Sequence, residues 1–90
     1  MKAYKIYNTE NKTEYFFGKG QLVEFATREI ADNESTLTPE KLQLNFEPSE
    51  IKILIKIRNE VKQGKTISSL KHAKLVLRIN NYKIQEIDLY

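Results

Sequence analysis

Ser49-Glu50-Ile51-Lys52-Ile53-Leu54-Ile55-Lys56-Ile57-Arg58-Asn59-Glu60-Val61-Lys62-Gln63-Gly64 is the stretch whose reading decides the fold. Two periodicities compete in it. Ile51, Ile53, Ile55 and Ile57 alternate with Lys52, Leu54, Lys56 and Arg58, which is the pattern of a strand, and isoleucine favours strands. Against this, Ile51, Leu54, Ile57 and Val61 share one helical face. The boundaries decide for a helix over 50–62: Pro48 stands before Ser49, an N-cap candidate, Glu50 falls in the first turn, and Gly64 follows the last. The length also exceeds the strand mode of roughly 5–6 residues. On that helix Lys52, Lys56, Asn59 and Gln63 form the outer stripe.

Outward from this segment the chain reads as an α+β domain. Residues 2–8 alternate aromatic or β-branched residues with lysine and are expected to pair, through a polar turn at 8–12, with a strand over 13–17. Gly18 and Gly20 then punctuate, and Leu22, Phe25, Ala26 and Ile30 place one apolar stripe on a helix from Gln21 to Ala31. Residues 33–41 read as a polar connection in which Thr38-Pro39-Glu40 starts a helical turn. Leu42, Leu44 and Phe46 alternate with Gln43 and Asn45 and suggest a half-buried strand. Residues 66–73 read as a connection with room for one helical turn. Leu75, Leu77 and Ile79 then suggest the first strand of a C-terminal hairpin, turning at Asn80-Asn81 and returning over 82–89, with a bulge because Ile84 and Ile87 are out of phase. The fold expected is a single domain over 1–90, a small antiparallel sheet of N-terminal and C-terminal hairpins packed with two helices. Leu22, Phe25, Ile30, Leu44, Leu54, Ile57, Leu77 and Ile79 are its expected core.

Composition bounds what such a domain does. At 90 residues with 40% hydrophobic and 30% charged residues, the chain has enough apolar surface to fold and room for one modest core. It has no cysteine, so disulfides and thiolate metal sites are excluded, which fits a reducing compartment. The longest unbroken apolar runs, Ile53-Leu54-Ile55 among them, are far short of a membrane span, and Met1 to Tyr7 lacks the apolar centre of a signal peptide. A cytoplasmic protein with no membrane association is expected.

The chemistry-bearing residues do not assemble into a catalytic pattern. His72, the one histidine, sits between Lys71 and Ala73 with no nearby group to make it a general base or metal ligand. Gln63-Gly64-Lys65-Thr66 resembles the end of a phosphate-binding loop, but Asn59 stands where that loop needs its first glycine. Gly18-Lys19-Gly20 lacks the third glycine and the βαβ unit of a dinucleotide site. The carboxylates are scattered, and Ser35, Ser49, Ser68 and Ser69 have no nucleophile-elbow context. No enzyme, cofactor or metal is expected.

Charge is the feature that stands out. Residues 1–50 carry six basic and nine acidic side chains, whereas residues 51–90 carry nine basic and three acidic ones. From Lys52 to Lys83 the one acid is Glu60. Lys52, Lys56, Arg58, Lys62, Lys65, Lys71 and Lys74 are therefore the expected partner-binding residues, suited to an acidic protein face or a phosphate backbone. Arginine supplies three of the fifteen cations, which weakens base readout and favours a protein over nucleic acid. Tyr4, Tyr7, Tyr15, Tyr82 and Tyr90 are further interface candidates, since tyrosine joins apolar area to a polar tip.

Residue usage hints at origin. Twelve lysines, ten isoleucines and seven asparagines against four alanines and three glycines indicate an AT-rich gene, of the kind found in low-GC bacteria and their phages and plasmids. In size and in its opening hairpin and helix over 2–32, the chain is similar to small accessory proteins of such elements. That likeness implies an anti-CRISPR-like binder that inhibits or regulates a host protein, such as a nucleic-acid-guided defence nuclease; a small basic nucleic-acid-binding protein is the alternative.

Overall fold

A computed structural model of the chain describes residues 2–32 and 38–88. The elements run β1 (Lys2–Asn8), β2 (Glu14–Phe17), α1 (Lys19–Asp32), α2 (Pro39–Leu42), α3 (Pro48–Lys62), α4 (Leu70–Arg78) and β3 (Tyr82–Asp88). The three strands form one antiparallel sheet in the order β2-β1-β3. The α+β class is as expected. The polar connection read over 33–41 falls partly at 33–37, outside the described residues.

The sheet follows from its alternation. Tyr4, Ile6 and Asn8 are buried on one face of β1, and register places Phe17, Tyr15, Ile84 and Tyr82 beside them. The opposite face carries Lys5, Tyr7, Phe16, Lys83, Gln85 and Ile87, and Phe16 is 63% exposed there. On the inner face Phe25 of α1 meets Tyr15, Phe17 and Tyr82 at centroid distances of 5.4, 5.3 and 5.5 Å. α1 and α4 pack together against the sheet, and α3 rests on both helices. One continuous core joins Leu22, Ala26 and Ile30 of α1 to Leu54 and Ile57 of α3 and Ala73, Val76 and Leu77 of α4.

Residues 50–62 are helical, within the slightly longer α3. Ile51, Leu54 and Ile57 are buried, while Ile53 and Ile55 flank the stripe half-buried. The cap differs from expectation. Glu47 rather than Ser49 is the N-cap, Pro48 opens the first turn, and the Glu47 amide donates to Glu50 Oε1 at 3.0 Å. Gly64 takes φ +86, the left-handed region in which glycine ends helices at least cost.

Two strand expectations are corrected. Leu75 to Ile79 is no strand and there is no C-terminal hairpin, because α4 spans Leu70–Arg78. Ala73, Val76 and Leu77 lie three and four residues apart on its buried face, and Ser69 Oγ accepts the His72 amide at 3.2 Å as N-cap. Leu42, Leu44 and Phe46 also form no strand: α2 ends at Leu42 and a turn follows. Leu42 and Phe46 are buried, but Leu44 is 81% exposed and leaves the expected core. Phe25 and Ile79 pack half-buried against it. β3 pairs with β1 without a break from Tyr82↔Asn8 to Asp88↔Lys2, so the expected bulge is absent; Ile84 faces inward and Ile87 outward.

Candidate functional site

The seven basic residues singled out from sequence fall on α3, the following connection and α4. Lys52 and Lys56 are exposed on the outer face of α3 with Asn59 and Gln63, as the helical stripe requires. Arg58 and Lys62 lie on the flank of the same helix and already interact within the fold. Lys65 is exposed in the connection, which is tied to α1 where the Ile67 amide donates to Thr27 Oγ1 at 3.2 Å. Lys71 is exposed on α4, and Lys74 half-exposed beside it.

The cations divide by their internal partners. Among the described residues Lys52, Lys56, Lys65 and Lys71 make no ion pair. Lys74 Nζ, by contrast, lies 3.0 Å from Glu86 Oε1, and Lys2 reaches the same carboxylate at 3.3 Å. Hydrogen bonds from Lys74 and then Lys2 hold the Glu86 carboxyl below the ordinary range. Lys74 also sits over the Tyr4 ring at 5.8 Å.

Arg78, which sequence reasoning did not single out, organises the junction between α3 and α4. Its guanidinium donates to Glu50 Oε2 at 2.9 Å, reaches the Asn45 carbonyl at 3.4 Å and stacks 4.8 Å from the Phe46 ring. The Glu47 amide and then Arg78 lower the Glu50 carboxyl below its usual range. The missed signal is helical: once Ser69 is read as a cap, Lys71, Lys74 and Arg78 fall on one exposed side of α4.

That side borders two hollows. One, of about 480 Å³, lies over Leu70, Lys71 and Leu75 beside Glu50. The larger, an open groove of about 800 Å³, runs between Lys74 and Arg78 of α4 and the edge of β3, with Tyr7, Tyr82, Lys83 and Ile84 in its wall. Burial raises the Tyr82 hydroxyl's pKa, with a smaller contribution from the Glu29 carboxylate.

Of the tyrosines proposed as interface residues, Tyr4 is 4% exposed and belongs to the core. Tyr7, Tyr15 and Tyr82 retain some exposure, and Tyr90 lies outside the described residues. His72 is half-buried against α3, and the described residues contain no group of three or more histidine, cysteine, aspartate or glutamate side chains that would hold a metal ion. No helix among them is long and apolar enough to cross a membrane. In comparisons with protein-family models, curated proteins and solved structures, the chain matches none.

Proposed function

We propose that the chain is a non-catalytic binding protein whose basic α3–α4 surface docks on an acidic face of a protein partner, and that it regulates or inhibits the partner by occupying that face. The observation that carries this reading is the set of exposed lysines without an internal counter-charge. Among the described residues Lys52, Lys56, Lys65 and Lys71 make no ion pair, while Glu50 pairs with Arg78 and Glu86 with Lys74 and Lys2. Exposed lysines with no internal counter-charge favour an acidic partner, which also speeds encounter. The AT-rich residue usage supports a regulator carried by a phage or plasmid and directed at a host protein such as a defence nuclease. The same lysines suit a phosphate backbone, which is the second reading.

The test compares the tagged chain with its Lys52→Glu/Lys56→Glu/Lys71→Glu variant in pull-downs from a low-GC bacterial lysate, with and without nuclease. One protein retained by the wild type, resistant to nuclease and lost with the variant, is the expected result. Retention of nucleic acid with a steep salt dependence favours the second reading. Identical profiles for both proteins would leave the lysines as a solvated surface and refute both.

A further inference from the structure

β3 is bound to the rest of the fold unevenly along its length. It pairs with β1 over all seven of its residues, yet none of its side chains is buried. Tyr82, Ile84 and Ile87 are half-buried and the other four are exposed. β1, by contrast, buries Tyr4, Ile6 and Asn8. Lifting β3 away therefore uncovers less apolar surface than pulling the helices apart. Towards its Asp88 end the side-chain ties are the pairs of Glu86 with Lys2 and Lys74, at 3.3 and 3.0 Å, and exposed pairs of this kind hold weakly.

The Tyr82 end is held differently. Asn8, 7% exposed, is the one buried polar residue among those described. Its Oδ1 accepts the Glu10 and Asn11 amides at 2.8 and 3.1 Å, and its Nδ2 donates to the Asn80 carbonyl at 3.0 Å. The Thr9 amide and hydroxyl both donate to the Asn81 carbonyl, at 3.1 and 3.2 Å. Asn81 Nδ2 donates to Glu10 Oε1 at 2.9 Å, and Asn80 Nδ2 to Glu29 Oε2 of α1 at 2.7 Å. The turn after β1 and the turn before β3 are thus clamped together, with Asn8 bonded to both. Lys12 and Asn81, at φ +63 and +64, are the non-glycine residues with left-handed backbone among those described, and one lies in each turn. Such conformations persist where surrounding bonds over-determine them.

We propose that β3 is a strap that opens locally while β1, β2 and the helices stay folded, and that the Asn8 clamp is the latch that keeps it closed. Removing the Asn8 amide leaves the Asn80 carbonyl and two turn amides without their partner where the strap is anchored, and a buried network that loses one member is weakened as a whole.

Native-state hydrogen exchange of the full chain in low urea separates local opening from global unfolding. The Thr9 amide donates to the Asn81 carbonyl and pairing alternates along an antiparallel ladder, so the amides of Lys83, Gln85 and Ile87 donate to β1. In the wild type these three should exchange through an opening with a weaker urea dependence than that of Ala26, Leu54 and Ile57 in the helices. Asn8→Ala should speed their exchange by roughly tenfold or more beyond any change at the helical amides. Glu86→Gln, at the weakly held end, should speed it at neutral pH by less than about threefold. Equal urea dependence at the strand and helical amides of the wild type would mean that β3 leaves only with global unfolding, which overturns the proposal. An Asn8→Ala chain in which both sets of amides speed up together, or one that no longer folds, overturns it as well. A Glu86→Gln effect as large as that of Asn8→Ala would refute Asn8 as the latch.

Discussion

Removing the Phe25 ring is the sharpest probe of how α1 is fixed to the sheet. Truncating a fully buried phenylalanine costs about 3–5 kcal/mol. Phe25 is half-buried, so part of that transfer energy is already absent in the native protein. Three ring neighbours recover part of that deficit: Tyr15, Phe17 and Tyr82 lie 5.3–5.5 Å from it. Each such pair contributes roughly 0.5–1.5 kcal/mol beyond area burial. The expected loss for Phe25→Ala is therefore about 2–3 kcal/mol, equivalent to a fall of roughly 10–20 °C in Tm for a domain of this size. Urea denaturation followed by far-UV circular dichroism measures it, with Phe16→Ala as the control. Phe16 is 63% exposed on the uncovered sheet face, so its truncation should stay within about 0.5 kcal/mol. A Phe25→Leu/Tyr82→Leu cycle isolates the ring pair, and a coupling of about 0.5–1.5 kcal/mol is expected. If Phe25→Ala is no worse than the Phe16 control, α1 does not meet the sheet through this residue and the packing described here is wrong.

Two further predictions test α4 and its anchor. Ser69→Ala removes the side chain that accepts the His72 amide and should destabilise the protein by about 1 kcal/mol, while Ser68→Ala, one residue earlier and exposed, should not. The Glu86 carboxyl is held low by Lys74 and Lys2, so its contribution is present above the unfolded-state pKa and lost as pH falls through the folded one. Glu86→Gln should accordingly narrow the stability gap between neutral and acidic pH, and an equal gap in wild type and variant would show that the carboxylate adds no pH-dependent stability.

The two halves of the chain were unequally legible. β1, β2 and α1 were readable because alternation, turn residues and helical spacing agree there, each pointing to the same element. In α3 they disagreed, and the boundary residues Pro48, Glu50 and Gly64 outweighed the isoleucines. α4 was misread because Leu75, Leu77 and Ile79 mimic a strand when taken without Ala73 and Val76, which complete the helical face. Leu44 failed for a related reason. An apolar residue at alternating spacing is equally compatible with a turn that points it to solvent, and the short α2 makes it do so. Lys52 and Lys56 could be placed on an outer face because helix geometry alone determines it. The groove could not be anticipated, since Arg78 and Lys83 belong to different elements and meet only through the turn at Asn80-Asn81.

The position of β1 at the centre of the sheet also governs how the chain assembles in time. β1 finds β2 across a short turn but reaches β3 only after all the helices, and Asn8 and Asn80 stand 72 residues apart. Closing a loop of that size costs on the order of 4 kcal/mol in chain entropy before the new contacts return anything. The hairpin and α1 therefore form a local nucleus, and docking of β3 is the late, slow event of folding. Until it happens, the β1 edge is open to any other extended chain. Substitutions within β3 should therefore speed unfolding far more than they slow folding.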